Sequence, residues 1–279
     1  MLRVFKEGLL ELLLTPPYRC PLCGDLFPGQ PPSSGPDAGT TTPPIWFPAA
    51  GCPRCLSALP FVVPPFCSCC GRPLRQTRAA LCVNCRRWRH FFTVARAVGV
   101  YDGALRHWIQ LLKYGDRVEI GAGLGALLAE LACLEPALQG VDVVVPVPVS
   151  PERLRERGYN QAELLARPVA ARLLRPLVTD AVVRVAGGVS QSLLSGAQRR
   201  RNAFGLYAMG SPLPVAGKRV LLVDDILTTG ATANEVARLL LKAGALEVKV
   251  LVAAVGVQRA DWGKDAVEGS KWDHEGIQV

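Results

Sequence analysis

Two groups of residues in this 279-residue sequence have types and spacing suited to chemistry: an acid pair followed by small hydroxyl residues, and four pairs of cysteines. The first lies in residues 218–232, KRVLLVDDILTTGAT. The apolar run Val220–Val223 predicts a strand, with Asp224 and Asp225 at its carboxyl end, where open parallel sheets bind their ligands. Adjacent carboxylates offer two acceptors to a vicinal diol, directly or through Mg²⁺. Thr228-Thr229-Gly230-Ala231-Thr232 then turns the chain into a helix. Small side chains expose successive backbone N–H groups, the helix N-terminus adds partial positive charge, and the hydroxyls add donors. A phosphate fits such a loop while the ribose that carries it reaches the acids.

Nine of the ten cysteines lie between Cys20 and Cys85. Eight form C-x-x-C pairs: Cys20/Cys23, Cys52/Cys55, Cys67/Cys70 and Cys82/Cys85. In a chain without a recognisable secretory signal such pairs read as metal ligands rather than disulfides. Four thiolates around Zn²⁺ stabilise a segment too small to own a core, so about two structural zinc ions are expected. Cys67, Cys70, Cys82 and Cys85 are close enough for one ribbon, and Cys20, Cys23, Cys52 and Cys55 for another, although crossed pairing stays open. Cys69 is the odd member, an alternative ligand or a bystander. Cys133, in an apolar helical stretch, reads as a buried small hydrophobe.

The formal net charge of +9 counts every thiol as neutral. Two zinc ions on eight thiolates lower it to about +5, still basic and suited to phosphate-bearing ligands, whether nucleotide or polymer. No acidic residue occurs from Arg72 to Tyr101, and Arg86, Arg87, Trp88 and Arg89 lead into His90-Phe91-Phe92. Cations interleaved with aromatics bind single-stranded nucleic acid through backbone attraction and stacking. Equally, these arginines offset zinc–thiolate charge while Trp88 and Phe91 join an interface. His90 and His107 have no evident partner in the sequence.

The elements that must position these groups follow from hydrophobic patterning. Residues 1–14 predict a short amphipathic helix ended by Pro16-Pro17, and residues 28–50 a flexible insert rich in Pro, Gly, Ser and Thr. Beyond about residue 92, strands and helices alternate. Strands are expected at Val94–Tyr101, Val141–Val147, Val182–Val185, Val220–Val223 and Val248–Val255, and a helix at Gly103–Tyr114. Asn160-Gln161-Ala162-Glu163 predicts a capping box, and Thr232 with Glu235 a second, with Gly244 at the C′ position of the latter helix. Pro168 is expected to kink or split its helix. This alternation predicts an α/β fold, a doubly wound and mainly parallel sheet. It divides the chain into an N-terminal helix and double zinc-ribbon module (1–89), an α/β domain (90–260) and a polar tail (261–279). No apolar stretch reaches the ~20 residues of a membrane helix. Gly8–Leu14 is too short for a signal peptide and lacks a small-residue cleavage site, so a cytoplasmic protein without membrane insertion is expected.

VLLVDDILTTGAT resembles the signature of type I phosphoribosyltransferases, which bind 5-phosphoribosyl 1-pyrophosphate with Mg²⁺. The match narrows with Leu112-Lys113-Tyr114-Gly115-Asp116, with VPVPVSPERLRERGYNQAELLAR (145–167), and with Gln191 and Arg199–Phe204, which together resemble the ComF family. Members carry cysteine knuckles ahead of a transferase-like domain and are linked to natural competence and DNA uptake. The resemblance implies that Val147 and Pro148 begin a pyrophosphate loop, with Arg153, Arg157, Asn160 and Lys113 within reach of the ligand. It implies that 188–204 is a closing loop, with Arg199 and Arg200 joining Asp224 and Asp225 as catalytic candidates. Transfer to a nitrogen nucleophile is then the expected reaction, with the acceptor open. The other reading is a non-catalytic competence factor that binds single-stranded DNA and retains the ribose-phosphate site.

Overall fold

The computed structural model describes residues 18–27, 50–75, 80–185 and 205–257. The expected N-terminal helix, nearly all of the insert, the closing loop with Arg199 and Arg200, and the tail lie outside them. Among the described residues, no helix is long and apolar enough to cross a membrane.

Four parallel strands form the central sheet: β3 (Val94–Val100), β4 (Val143–Pro146), β7 (Arg219–Leu227) and β8 (Glu247–Val255), in the order β3-β8-β7-β4. Their near-continuous apolar runs are buried on both faces, as parallel strands require. Alternation assigns Val94, Val98, Val144, Leu221, Val223 and Leu251 to one core and Ala95, Ala97, Val143, Val145, Val220, Leu222 and Val250 to the other. Helices α3 (Gly103–Tyr114), α4 (Glu119–Leu134) and α6 (Gln161–Leu173) pack on the first face. Helix α7 (Ala231–Lys242) and the antiparallel pair β5 (Val182–Arg184) and β6 (Tyr207–Met209) cover the second. Helices on both faces make the fold doubly wound.

After β4 the chain passes through α5 (Pro151–Arg157) and α6 to a parallel bridge, Val144 with Leu177, on the outer side of β4. After β7 it passes through α7 to β8, on the opposite side. The connections diverge between β4 and β7, and such a switch point opens a crevice beyond the strand ends.

The two cysteine modules grip the sheet from opposite sides. The first, comprising β1 (Tyr18–Arg19), β2 (Leu26–Phe27) and α1 (Pro53–Ser57), contributes Cys20, Leu22 and Cys55 to the first core. The second, with α2 (Val83–Arg87), contributes Cys67, Cys70 and Cys82 to the other. The segment between them lines the free edge of β3: Val62 N–H donates to Val98 O at 3.0 Å, and Val100 N–H to Pro60 O at 2.8 Å.

Four local expectations are corrected. The strand predicted at Val220–Val223 runs on to Leu227, because β8 continues beside it and pairs Asp224 with Val252 and Leu227 with Val255. Pro168 does not split α6. The helix runs unbroken from Gln161 to Leu173, with the proline ring against α4, where a Cβ on Gly125 would come within 2.7 Å of Pro168 Cγ. Thr232 does not cap α7. Gly230, at φ 76°, holds that position, and Glu235 pairs with Arg238 instead. Cys133 is half-buried rather than fully buried, since it lies one residue from the exposed end of α4. Asn160 does cap α6 and Gly244, at φ 94°, does follow the end of α7.

Candidate functional site

The acid pair lies inside β7, so successive side chains leave on opposite faces. Asp225 faces the helices of the first core, where Lys113, in the last turn of α3, brings Nζ within 2.8 Å of its Oδ2. Both side chains are largely buried, at 6% and 18% exposure. Burial works against the Lys113 ammonium, but the Asp225 carboxylate, joined by Asp224, raises the pKa overall. Asp224 points to the other side. Burial, and then the charge of Asp225, raise its carboxyl to about 8, while its Oδ1 accepts the Asp225 N–H at 2.8 Å. The expectation of an acid pair at the carboxyl end of a strand is thus corrected: both residues lie within β7, where Asp225 is buried and ion-paired and Asp224 is half-buried.

Residues from the opposite side of the crevice hold these groups in register. Val147 N–H donates to Val223 O at 2.8 Å, which extends the β4–β7 ladder to the start of the Val147-Pro148 loop. Asn160 uses both ends of its amide: Nδ2 donates to Val147 O at 3.1 Å and Oδ1 accepts from Ala162 N–H at 3.1 Å. Tyr159 donates its hydroxyl to Leu112 O at 2.6 Å, fixing α3 next to Lys113. Arg157 lies over the Tyr114 ring, 5.0 Å from its centroid, and donates to Gln161 Oε1 at 3.0 Å. Arg153 sits in the first turn of α5, where its N–H meets Ser150 Oγ at 3.4 Å.

Beyond β7, the left-handed conformation at Gly230 turns the loop into α7, and Thr229 Oγ1 accepts the Ala231 N–H at 3.3 Å. Thr228 is exposed at the loop's entry, Thr229 and Thr232 are half-buried, and Gly230 is buried. The loop therefore presents backbone amides and hydroxyls at the N-terminal end of a twelve-residue helix, an arrangement that attracts anions.

The eight paired cysteines gather as two sets of four, Cys20/Cys23/Cys52/Cys55 and Cys67/Cys70/Cys82/Cys85, each with its ligand atoms within 4.8 Å of one another. Crossed pairing does not occur. Contacts of 4.0 Å for Cys20–Cys55, 3.8 Å for Cys23–Cys52 and 3.6 Å for Cys70–Cys82 approach the ~3.8 Å edge of a tetrahedron with 2.3 Å metal–sulfur bonds. Backbone N–H groups also point at the sulfurs, as Cys52 N at Cys20 Sγ (3.2 Å) and Cys82 N at Cys67 Sγ (3.3 Å). Burial raises the Cys23 thiol to about 11, and a bound dication would oppose that shift. Both sets are compatible with zinc.

The sequence left His90 without a partner, but its Nε2 lies 3.6 Å from Cys85 Sγ and its ring stacks on Phe92 at 4.5 Å. With Cys69 and Cys85 it forms a third close group. Asn234 was also missed: its Oδ1 accepts the Phe91 N–H at 2.6 Å, joining α7 to the second module. No periodicity marks either contact. Arg86, Arg87, Trp88 and Arg89 are exposed, as is Phe91, with about half of the Trp88 and Phe91 surfaces open to solvent.

The phosphoribosyl transferase domain family matches residues 160–279. Over 192 residues the chain is 35% identical to competence protein F of Haemophilus influenzae, with 67% of this chain and 82% of the relative covered. It is 33% identical over 205 residues to the DNA utilization protein YhgH of Salmonella typhimurium, covering 66% and 87%. With competence protein ComFC of Bacillus subtilis it shares 30% identity over 200 residues, covering 69% and 78%.

Proposed function

Since the chain belongs to the ComF family, that of competence protein F and its relatives, we propose that it binds 5-phosphoribosyl 1-pyrophosphate with Mg²⁺ and acts in natural competence and DNA uptake. One observation carries this reading. The Lys113–Asp225 pair, Asp224, the Val147-Pro148 loop and the Thr228–Thr232 loop converge on the crevice at the switch point of the sheet.

In this reading the 5′-phosphate rests on the amides and hydroxyls of Thr228–Thr232, and the ribose diol faces Asp224. Hard carboxylate oxygens suit Mg²⁺, and a carboxyl raised to about 8 gains from a neighbouring cation. Lys113 fixes Asp225 and adds positive charge beside the acids. Asn160 orients the loop that meets the pyrophosphate, by holding Val147 O, while Arg153 stands at the amino end of α5. Mg²⁺, when bound, would offset charge on the departing pyrophosphate. Transfer breaks the bond from C1 of the ribose to pyrophosphate and forms one to a nitrogen nucleophile, through an oxocarbenium-like transition state. The chain's part is to align the partners and stabilise separating charge. Each tetra-cysteine set holds one structural Zn²⁺.

A second reading, single-stranded DNA binding by a protein that keeps the ribose-phosphate site without turnover, is favoured by the exposed Arg86, Arg87, Trp88 and Arg89. Release of pyrophosphate from the activated ribose with Mg²⁺, screened across bases, amines and single-stranded DNA, separates the two. Release with an acceptor supports the transferase. Calorimetric binding without release supports the second reading, and no binding overturns the ribose-phosphate site itself.

A further inference from the structure

The second cysteine module reaches the loop that the proposed function places beneath the 5′-phosphate. Its knuckle closes when Cys67 N–H donates to Arg72 O at 2.7 Å and Gly71 N–H to Cys67 O at 2.9 Å. Gly71, at φ 69°, lies so near β3 that a Cβ would meet Ala95 O at 2.7 Å. The next residue, Arg72, is 5% exposed. Its Nη2 donates to Thr228 O at 2.6 Å and its Nε to Gly256 O at 2.9 Å. Thr228 opens the phosphate loop after β7, and Gly256 follows β8 and donates its N–H to Leu227 O at 2.9 Å. One guanidinium thus ties the carboxyl ends of the two central strands together, directly behind the loop.

Two physical consequences follow. A trans peptide is planar, so its C=O and N–H point in opposite directions. Holding Thr228 O toward the cysteine module therefore turns the Thr229 N–H away from it. The second consequence is electrostatic. Among the described residues no carboxylate forms an ion pair with Arg72. The negative charge near this buried cation comes from the neighbouring thiolate set, and a phosphate in the loop adds to it from the other side.

We propose that Arg72 is a positioning residue of the phosphate loop, one that sets the affinity for the 5′-phosphate of the ligand from within the cysteine module. This inference rests on the ribose-phosphate reading, and ligands that separate the two ends of the activated ribose test it.

The experiment uses the full zinc-replete chain, with calorimetric titration of ribose 5-phosphate and, separately, of pyrophosphate with Mg²⁺. Arg72→Gln is expected to weaken ribose 5-phosphate at least tenfold, leave pyrophosphate within twofold, and retain its zinc. Arg72→Lys restores the charge and one donor, so it is expected to recover part of the loss. Equal losses for both ligands, or no loss for either, overturn the proposal. Should Arg72→Gln fail to fold, Arg72→Lys decides: selectively weaker ribose 5-phosphate supports the role, and wild-type affinity overturns it. Wild-type protein that binds neither ligand would overturn the ribose-phosphate reading and this inference with it. Wild-type binding matched by both variants overturns the inference alone.

Discussion

The two cysteine modules are alike in local geometry and unlike in what they touch. In each, the first cysteine's N–H bonds the carbonyl five residues on, Asp25 in one and Arg72 in the other. In each, a glycine of positive φ, Gly24 or Gly71, makes the turn, and the third cysteine caps a five-residue helix. At the equivalent position after the turn, Asp25 forms an exposed ion pair with Arg54, whereas Arg72 is buried against the Thr228–Thr232 loop. A knuckle's ligand spacing fixes its own shape. What its turn residue does depends on the face of the sheet against which it is packed.

The largest effect should come from breaking one module at a time. Purified protein is expected to contain about two Zn²⁺ per chain by elemental analysis. Cys55→Ser and Cys67→Ser should each remove about one. Because structural zinc contributes on the order of 10 kcal/mol of apparent binding energy, each should also lower the melting temperature. Only Cys67→Ser is expected to lose ribose 5-phosphate affinity beyond the stability change. Equal affinity losses would show that the second module has no special link to the site.

The acid pair gives the next effect and checks that a loss of affinity arises at the crevice. Asp225→Asn leaves Lys113 without its buried partner and should cost about 3–5 kcal/mol in denaturant unfolding. Asp224→Asn should not destabilise the fold, since it removes a carboxyl whose pKa folding raises, while weakening Mg²⁺-dependent binding by about 1.5–3 kcal/mol, the worth of a charge-assisted hydrogen bond. If the two variants melt alike, the buried pair is not the structural member.

Asp224 also predicts a moderate pH effect. Its carboxyl is raised to about 8 by burial and by Asp225, against about 3.9 unfolded. The folded chain then holds more protons between those values, so this group's stabilisation is lost as pH rises from about 4 to about 8. Mg²⁺-dependent binding requires the carboxylate and should strengthen toward pH 8. Thermal melts and titrations of wild type and Asp224→Asn should show both trends vanish in the variant.

The smallest effect concerns the modules' outer surfaces. Arg86→Ala with Arg87→Ala should reduce the log–log salt slope for single-stranded DNA by about 1.4, since each phosphate contact contributes about 0.7. Arg54→Ala, on the equivalent helix of the first module, should leave the slope unchanged. A slope unmoved by the double variant would remove the second module's claim on nucleic acid.

What the sequence determined by itself is what short-range chemistry encodes. Buried parallel strands appear as the apolar runs around Val144, Leu222 and Val250 because both their faces are covered. Asn160 and Gly244 mark helix ends because capping and left-handed backbone are local demands. Cysteine spacing announced two metal-compatible sets, and TTGAT the turn from β7 into α7, because paired cysteines and a glycine-centred turn are local features of the chain. Tertiary structure decided the rest. Whether the strand stopped at Val223 or ran to Leu227 depended on β8 pairing beside it, and that extension sends Asp224 and Asp225 to opposite faces. Pro168 lies within an unbroken helix, its ring packed where Gly125, 43 positions earlier, leaves room for it. The partners of Lys113 and Arg72 lie more than a hundred residues away, and the contact of His90 with Cys85, though local, follows no helical or strand periodicity. A buried charge takes its role from whichever oxygen it meets, and only the packing of distant segments brings Thr228 O to Arg72 and Asp225 to Lys113.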